Sequence, residues 1–147
     1  MENITITKGN YTISTDKSLI DINAVHDFLA NHSYWAKNIP LETVQNSVQN
    51  SLCFGLFLQG KQLGFARVIS DFATIAYLGD VYVLHEHRGQ GLSKWLIEQV
   101  MAHPALQGLR RWVLLTADAH KLYEKYGWRL VENPDRYMEV FNPNVYQ

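Results

Sequence analysis

With 147 residues, the chain has the length of one domain with a substantial core, and its 47% apolar and 18% charged residues are ordinary for a soluble globular protein. Thirteen Lys and Arg residues against fourteen Asp and Glu residues leave a formal charge of -1, so we expect neither nucleic acid nor a membrane surface as a partner. The single cysteine, Cys53, excludes an internal disulfide and suggests no cysteine-based metal site.

The first half of the chain predicts one strand and two helices. Alternating apolar and polar residues at 4–7 and again at 11–14 predict a strand that is bent at Gly9-Asn10. Apolar residues recur at helical spacing over 20–31, which predicts an amphipathic helix. A second, shorter helix is predicted over 40–48, because it begins with a proline, which suits a first turn.

From Cys53 onward, β-branched and aromatic residues predict five strands with two helices between them. The predicted strands are 53–58, 62–69, 74–84, 112–115 and 137–141. The predicted helices are 92–102, stopped by His103-Pro104, and 119–126, stopped by Gly127. The order β-α-α-β-β-β-α-β-α-β predicts an α/β fold in a single domain over residues 1–147, with a mixed central sheet flanked by about four helices and a core spanning about residues 4–142.

The most informative segment joins the third of these strands to the next helix. Asp80-Val81-Tyr82-Val83 lies in that strand, and Arg88-Gly89-Gln90-Gly91 leads directly into the helix. Glycines let the backbone approach a ligand closely, while the first-turn amides and the helix dipole favour an anion. Arg88 adds a permanent positive charge, so the segment predicts a pyrophosphate site.

Two common nucleotide-binding motifs do not fit this loop. A P-loop requires Lys directly after its last glycine, but Leu92 and Ser93 follow Gly91 and displace Lys94. A dinucleotide fingerprint requires a third glycine where Lys94 stands, and its loop follows the first strand of a parallel unit. A glycine turn that only caps the helix remains an alternative.

Two segments resemble the GNAT N-acetyltransferase superfamily. Arg88, Gly91 and Ser93 are similar to its acetyl-CoA loop, Q/R-x-x-G-x-G/A, although Ser93 stands where the pattern has Gly or Ala. Residues 119–128 resemble its A-x-x-x-Y-E-K-x-G-F segment, although Thr116 stands where an upstream Asn is frequent. The resemblance implies a GNAT-like fold and acetyl-CoA as co-substrate. It implies cofactor contacts from Val81, Val83, Arg88, Gly89, Gln90, Gly91, Leu92, Ser93 and Lys94.

The same resemblance implies catalytic roles for two residues. Direct transfer requires a neutral amine, and an alkylamine with a pKa near 10.4 is neutral only about once in 2,500 molecules at pH 7. Tyr123 is implied as the general acid for the leaving thiolate, and Asp80 as a carboxylate that contacts the amine and is our first candidate base. Alternatively, Tyr123 only packs in the core and Asp80 only binds backbone amides. For three histidines, a surface or capping role is a simpler interpretation than the role of general base: His85, His87 and His120.

The acceptor is expected between the first two helices and the sheet, where superfamily members vary most. Tyr34 and Trp35 lie there and either stack on the acceptor or pack the two helices together. We expect the acceptor to be a primary amine of a small molecule or peptide, and we expect no metal cofactor. A homodimer remains possible from the sequence. Acidic Glu2 and the lack of a long apolar run predict a cytoplasmic protein without a signal peptide.

Two alternative functions remain open at this point. One is a non-catalytic acyl-CoA-binding sensor module, which would keep Arg88 and the glycines but could dispense with Tyr123. The other is an interaction domain with no CoA site, in which the glycine turn is only a helix cap.

Overall fold

The computed structural model describes residues 1–147, and one six-stranded sheet organises them. The strands are β1 (Thr5–Lys8), β2 (Tyr11–Ser14), β3 (Leu52–Leu58), β4 (Lys61–Ser70), β5 (Ile75–Val83) and β6 (Arg111–Leu114). Their order across the sheet equals their order in the chain. Neighbours from β1 to β5 are antiparallel and joined through turns or the first two helices, whereas β6 is parallel to β5 and follows a crossover helix.

Four α-helices cover the sheet: α1 (Ile22–His32), α2 (Leu41–Gln49), α3 (Leu92–Ala102) and α4 (His120–Glu124). Local sequence explains where they begin. The Asp21 carboxylate accepts the Ala24 amide at the start of α1, and Pro40 precedes the first turn of α2. Gly91 begins α3 in the left-handed conformation, with φ of 76°. None of the helices is both long enough and apolar enough to cross a membrane.

The core lies in two layers, one on each face of the sheet. On one face, α3 buries Leu96 and Ile97 against strand residues such as Leu78. On the other face, α1 and α2 bury residues such as Leu29 and Val44 against β3, β4 and β5. Burial of apolar surface on both faces explains why β3 is apolar at nearly every position instead of alternating. The sequence-based fold class, α/β with a mixed sheet and four helices, is confirmed.

Two sequence-based predictions of strands are wrong. Residues 4–14 do not form one bent strand, because the two-residue turn at Gly9-Asn10 folds them into the antiparallel pair β1–β2, in which Lys8 faces Tyr11. The closing strand at 137–141 does not form. Its aromatic and β-branched residues favour a strand, but a strand requires a neighbouring edge, and residues 138–141 make no backbone hydrogen bond.

Candidate functional site

A gap opens between β5 and β6 because the two parallel strands have different lengths. They pair from Ile75–Arg111 to Leu78–Leu114, where β6 ends, whereas β5 continues to Val83. We call the gap the β5–β6 cleft, bounded by residues 79–83 and by residues 115–119 before α4. Because β6 pairs with β5 only as far as Leu78, the backbone edge of β5 that faces β6 is unpaired over residues 79–83 and available to a ligand.

The backbone of Val83 faces this cleft. Leu84 donates its amide to the Leu63 carbonyl across β4 at 2.8 Å, and hydrogen bonds alternate along an antiparallel pair. Val83, opposite Gly64 in that pair, therefore directs its amide and carbonyl away from β4. Its carbonyl accepts a hydrogen bond from Nε of Arg88 at 2.9 Å, which ties the glycine loop to the end of the strand.

A β-bulge interrupts β5 at Asp80 and Val81. Two residues of β5 stand opposite one residue of β4 here, since Gly79 pairs with Arg67 and Tyr82 pairs with Phe65. Asp80 has a φ of 53°, a left-handed conformation that Asp tolerates better than most residues. The bulge turns the Asp80 side chain toward the α1–α2 side and leaves Val81 on the cleft edge.

The glycine loop leaves a row of backbone amides without acceptors. None of the amides of residues 89–94 has an acceptor within the protein, and the first bond of α3 runs from the Trp95 amide to the Gly91 carbonyl at 3.1 Å. Gly89 and Gly91 have φ of 80° and 76°, and a Cβ added to either would meet no atom within 4 Å. Free amides, open space and a helix N-terminus together fit an anion.

Two lysines add positive charge beside the start of α3. Lys94 lies close to Lys125, which follows α4, and the proximity and positive charge of Lys94 lower the pKa of Lys125. Gln90 accepts a hydrogen bond from the Tyr11 hydroxyl at 2.9 Å, which anchors the loop to β2. The resemblance implied a cofactor contact from Lys94 but none from Lys125, which stands in the Y-E-K-x-G segment.

Tyr123 lies on α4, on the β6 side of the cleft. Its side chain is 8% exposed and packs in the same core cluster as Val83 and Leu92. Its hydroxyl makes no hydrogen bond within the protein, and burial, followed by the neighbouring Tyr34 and Asp118, raises its pKa to about 12. The phenol is therefore protonated at neutral pH and free to donate its proton.

Asp80 is held by two side chains that the sequence did not connect with it. One carboxylate oxygen accepts Nε of Arg67 at 2.8 Å, and the other accepts the indole N–H of Trp35 at 2.9 Å. Arg67 also donates to the Ser51 hydroxyl at 3.1 Å, so the three residues form a continuous polar row. Arg67 was missed because a lone Arg inside a strand carries no sequence signal. The catalytic role of Asp80 stays a prediction, since both of its oxygens are engaged.

The two predicted acceptor-side aromatics bridge the mouth of the cleft. Trp35 reaches Asp80 on β5, while the hydroxyl of Tyr34 accepts the amide of Ala117 at 2.8 Å, just beyond β6. Their rings meet edge to face at 5.0 Å. The segment between α1 and α2 therefore touches both sides of the cleft. Thr116, in the position where the superfamily often has Asn, uses its hydroxyl to accept the Ala119 amide at 3.0 Å.

The sequence between α2 and the end of α4 matches a known domain family. The family model described as "Acetyltransferase (GNAT) domain" matches residues 49–130, more than half of the chain. The chain belongs to the GNAT acetyltransferase family. The matched region contains β3 to β6, the glycine loop and Tyr123, so it includes every part of the cleft except Tyr34 and Trp35.

Relatives of this GNAT protein support the same family. A curated protein of Gibberella zeae, provisionally described as an acetyltransferase, is 33% identical over 81% of this chain and 78% of its own length. A crystal structure from Xanthomonas campestris pv. campestris, also provisionally assigned as a GNAT acetyltransferase, is 55% identical, covers 92% of this chain and 96% of its own, and has a TM-score of 0.91. A GNAT acetyltransferase of Elizabethkingia anophelis, solved with acetyl-CoA bound, is 19% identical, covers 92% of this chain and 90% of its own, and shares the fold with a TM-score of 0.63. Family membership supports acetyl-CoA-dependent acetylation as the class of activity.

Proposed function

We propose that this GNAT protein transfers an acetyl group from acetyl-CoA directly to a primary amine of a small molecule or a peptide. The observation that carries the proposal is the row of free amides at residues 89–94, beside the Arg88 guanidinium and at the open end of the β5–β6 cleft. An anion-binding loop next to an unpaired strand edge suits a ligand with a pyrophosphate and an amide-containing arm.

The residues of the loop fit the pyrophosphate. Gly89 and Gly91 leave open space above the backbone, which a side chain at either position would fill. Arg88, Lys94 and Lys125 supply positive charge at the same end of the cleft. Val81 and Val83 would bind the pantetheine arm along the strand edge. The Elizabethkingia protein, which shares this fold, was solved with acetyl-CoA bound.

Two side chains would handle the protons of the transfer. Acetyl-CoA, when bound, supplies an activated thioester whose thiolate needs a proton as it leaves. Tyr123 keeps its proton at neutral pH on a hydroxyl that makes no hydrogen bond within the protein, so it is suited to act as the general acid. Asp80 would accept or orient the amine proton, with Arg67 fixing the carboxylate and Trp35 closing its other side.

The acceptor would enter beside the two bridging aromatics. Tyr34 is 57% exposed and Trp35 is 42% exposed, although each uses its polar atom in a hydrogen bond. Their faces therefore remain available for stacking on an acceptor while their edges are fixed. This arrangement supports a substrate-binding role in addition to packing, since a pre-organised aromatic loses little conformational freedom on binding.

Direct transfer is favoured over an acyl-enzyme by the state of the only thiol. Cys53 is fully buried on β3, and burial raises its pKa to about 11. A thiol acts as a nucleophile only as the thiolate, which burial suppresses here. Cys53 is therefore unsuited to carry the acetyl group, and we expect the Cys53→Ala variant to retain turnover.

A pair of glycine variants tests the cofactor site. Gly91→Val should abolish acetyl-CoA binding in a calorimetric titration, because its side chain fills the space above the free amides. Gly108→Val is the matched control: Gly108 has nearly the same φ, 73° against 76°, and equally open surroundings, but lies outside the loop. Both variants carry the same backbone strain, so only the loss of ligand space differs.

The outcomes of this test separate the candidate functions. Unchanged acetyl-CoA affinity in folded Gly91→Val protein would overturn the site. Binding by the wild-type protein without thiol release across a panel of primary amines would favour the sensor module. No binding of acetyl-CoA to the wild-type protein would favour an interaction domain. If acetyl-CoA does bind, a concentration of 100 times its Kd should raise the free energy of unfolding of the wild-type protein by about 2.7 kcal/mol.

A further inference from the structure

The sheet face that carries α1 and α2 is open on one side of Asp80. Tyr77 and Gly79 lie on this face, because Leu78 between them is buried in the core on the α3 side. Ile69 pairs with Tyr77 across β4 and β5 and is 46% exposed, so neither helix covers it. We call these three residues, Ile69, Tyr77 and Gly79, the open floor. It begins directly beside the residue that we propose as the base.

The ring of Tyr77 leans along the open floor toward Asp80. Glycine permits this, since a Cβ on Gly79 would lie only 3.0 Å from Cε1 of the Tyr77 ring. The Tyr77 hydroxyl makes no hydrogen bond within the protein, and burial, followed by the negative charge of Asp80, raises its pKa against the opposing effect of Arg67. The floor therefore holds a protonated, unbonded donor in the field of both charged groups.

Arg67 supplies a second free donor at the same place. Its Nε donates to Asp80 at 2.8 Å and its Nη1 donates to Ser51 at 3.1 Å, whereas Nη2 makes no hydrogen bond within the protein. Nη2 is accessible to solvent, and the whole side chain is 16% exposed. A guanidinium fixed at two nitrogens is already oriented, so its third nitrogen can bind a carboxylate with little loss of conformational freedom.

We propose that the acceptor is an α-amino acid, whose carboxylate binds Nη2 of Arg67 and the hydroxyl of Tyr77 while its amine lies at Asp80. The proposal rests on the proposed function, because it names the substrate class of the same transfer. Arg67 and Asp80 present opposite charges side by side, which complement the carboxylate and the amine of an amino acid. Each Asp80 oxygen accepts one hydrogen bond from the protein and can accept another from the amine.

This assignment separates amino acids from the other amines that the proposed function allows. A simple alkylamine or a peptide N-terminus has no carboxylate beside its amine, so it would leave both free donors unbonded. The exposed Ile69 and the Tyr77 ring would contact the side chain of the acceptor, which favours an apolar amino acid such as leucine. Overall, the ammonium form gives up two protons as the new amide bond replaces the C–S bond. One proton leaves through Asp80, and the other balances the proton that Tyr123 gives to the thiolate.

Pairs of substrates with the same shape test the carboxylate contact. L-leucine and L-leucinamide, the first pair, differ only in that a neutral amide replaces the carboxylate, and the amide also imitates a peptide N-terminus. With saturating acetyl-CoA and thiol release as the readout, kcat/KM for leucine should exceed that for leucinamide by about 100-fold or more. The amine of leucinamide is the weaker base and is more often neutral, so this preference would run against intrinsic reactivity.

Three variants assign the preference to the two free donors. Arg67→Gln should lower the ratio of the two kcat/KM values by about 100-fold, and Tyr77→Phe should lower it by about tenfold. Arg67→Gln also releases Asp80 and slows both substrates, but the ratio cancels that shared loss. Tyr77→Phe breaks no hydrogen bond of the protein, so it tests the proposal even if Arg67→Gln does not fold. Ser51→Ala is the matched control, because it removes the bond to Nη1 and leaves Nη2 in place.

The possible contrary results are distinct from one another. If no amino acid is a better substrate than its own amide, the carboxylate contact is wrong, while transfer to primary amines stands. If Tyr77→Phe and folded Arg67→Gln both keep the preference, another part of the protein binds the carboxylate and the assignment is overturned. If acetyl-CoA binds but no primary amine causes thiol release, the proposed function fails and this inference fails with it.

Discussion

Tyr123 and Tyr126 lie three residues apart and place their hydroxyls in different surroundings. The Tyr126 hydroxyl donates to a carboxylate oxygen of Glu98 at 3.1 Å near the surface. The Tyr123 hydroxyl makes no hydrogen bond in the protein, and Tyr34 and Asp118 are its polar neighbours. An unbonded hydroxyl keeps its O–H free to donate to a bound ligand.

Removal of the Tyr123 hydroxyl separates catalysis from packing. Tyr123→Phe keeps the ring and breaks no hydrogen bond, so the free energy of unfolding should hardly change. If Tyr123 is the general acid, kcat should fall by about 100-fold or more, with little change in CoA affinity. Tyr126→Phe is the control on the same helix end and should leave kcat unchanged. A Tyr123→Phe enzyme with wild-type kcat when chemistry is rate-limiting would make Tyr123 a packing residue.

At the scale of elements, the bulge in β5 determines what Asp80 contacts. The left-handed backbone at this position aims the carboxylate at Arg67 on β4 and at Trp35 beyond α1. One bulge therefore joins the sheet to the α1–α2 segment through a side chain that is 10% exposed. The same carboxylate is the candidate base, so its structural and chemical roles must be tested apart.

Two variants, Asp80→Asn and Trp35→Phe, distinguish the structural role of Asp80 from its chemical role. Asn accepts the indole hydrogen bond and tolerates a positive φ, but it leaves Arg67 without its counter-charge, which should cost up to about 3 kcal/mol of stability. If Asp80 acts as the base, kcat should fall by about 100-fold or more in Asp80→Asn. Trp35→Phe removes the indole donor while keeping a smaller aromatic ring, and it should mainly raise KM for the amine. Equal small losses in both variants would assign Asp80 a purely structural role.

At the scale of the whole molecule, three weak acids are buried in the two core layers. Burial is the main cause of the raised pKa of each: Cys53 to about 11, Tyr123 to about 12, and Tyr82 further above its ordinary value. In the unfolded chain these groups ionise at their ordinary values, about 9 for the thiol and about 10 for the phenols. As the pH rises, these three groups therefore lose their protons at a lower pH in the unfolded chain than in the folded protein.

The resulting pH dependence has a definite sign. The contribution of these three groups to the free energy of unfolding should be fully present below about pH 9 and should be lost as the pH rises toward about 12. Tyr123 alone should account for about 2 kcal/mol of this loss. Denaturant unfolding of wild type and Tyr123→Phe at about pH 8 and about pH 11 should therefore show a smaller alkaline loss in the variant. Identical alkaline losses in the two proteins would contradict a raised pKa of Tyr123 in the folded state.

The order of elements and the glycine loop could be predicted from the sequence because their causes are local. Alternation and helical spacing act within a few residues, and the φ of Gly91 and the free amides after it belong to a single turn. The residues that match the family motifs, Arg88 and Tyr123 among them, lie in these same short segments. The opening strand was mispredicted at its bend, where a two-residue turn reverses the chain.

Contacts between distant residues were decided only by the tertiary structure. Asp80 and Trp35 are 45 positions apart, and Tyr34 and Ala117 are 83 apart, so no sequence spacing connects them. Residues 137–141 show the same limit: their residue types favour a strand, but pairing depends on which edge is within reach. The sequence by itself determined the local backbone chemistry of the cofactor loop, because conformational preferences of neighbouring residues suffice for it. Only the tertiary structure decided the contacts on the acceptor side and the absence of a strand at residues 137–141, because both depend on segments that meet only after the chain has folded.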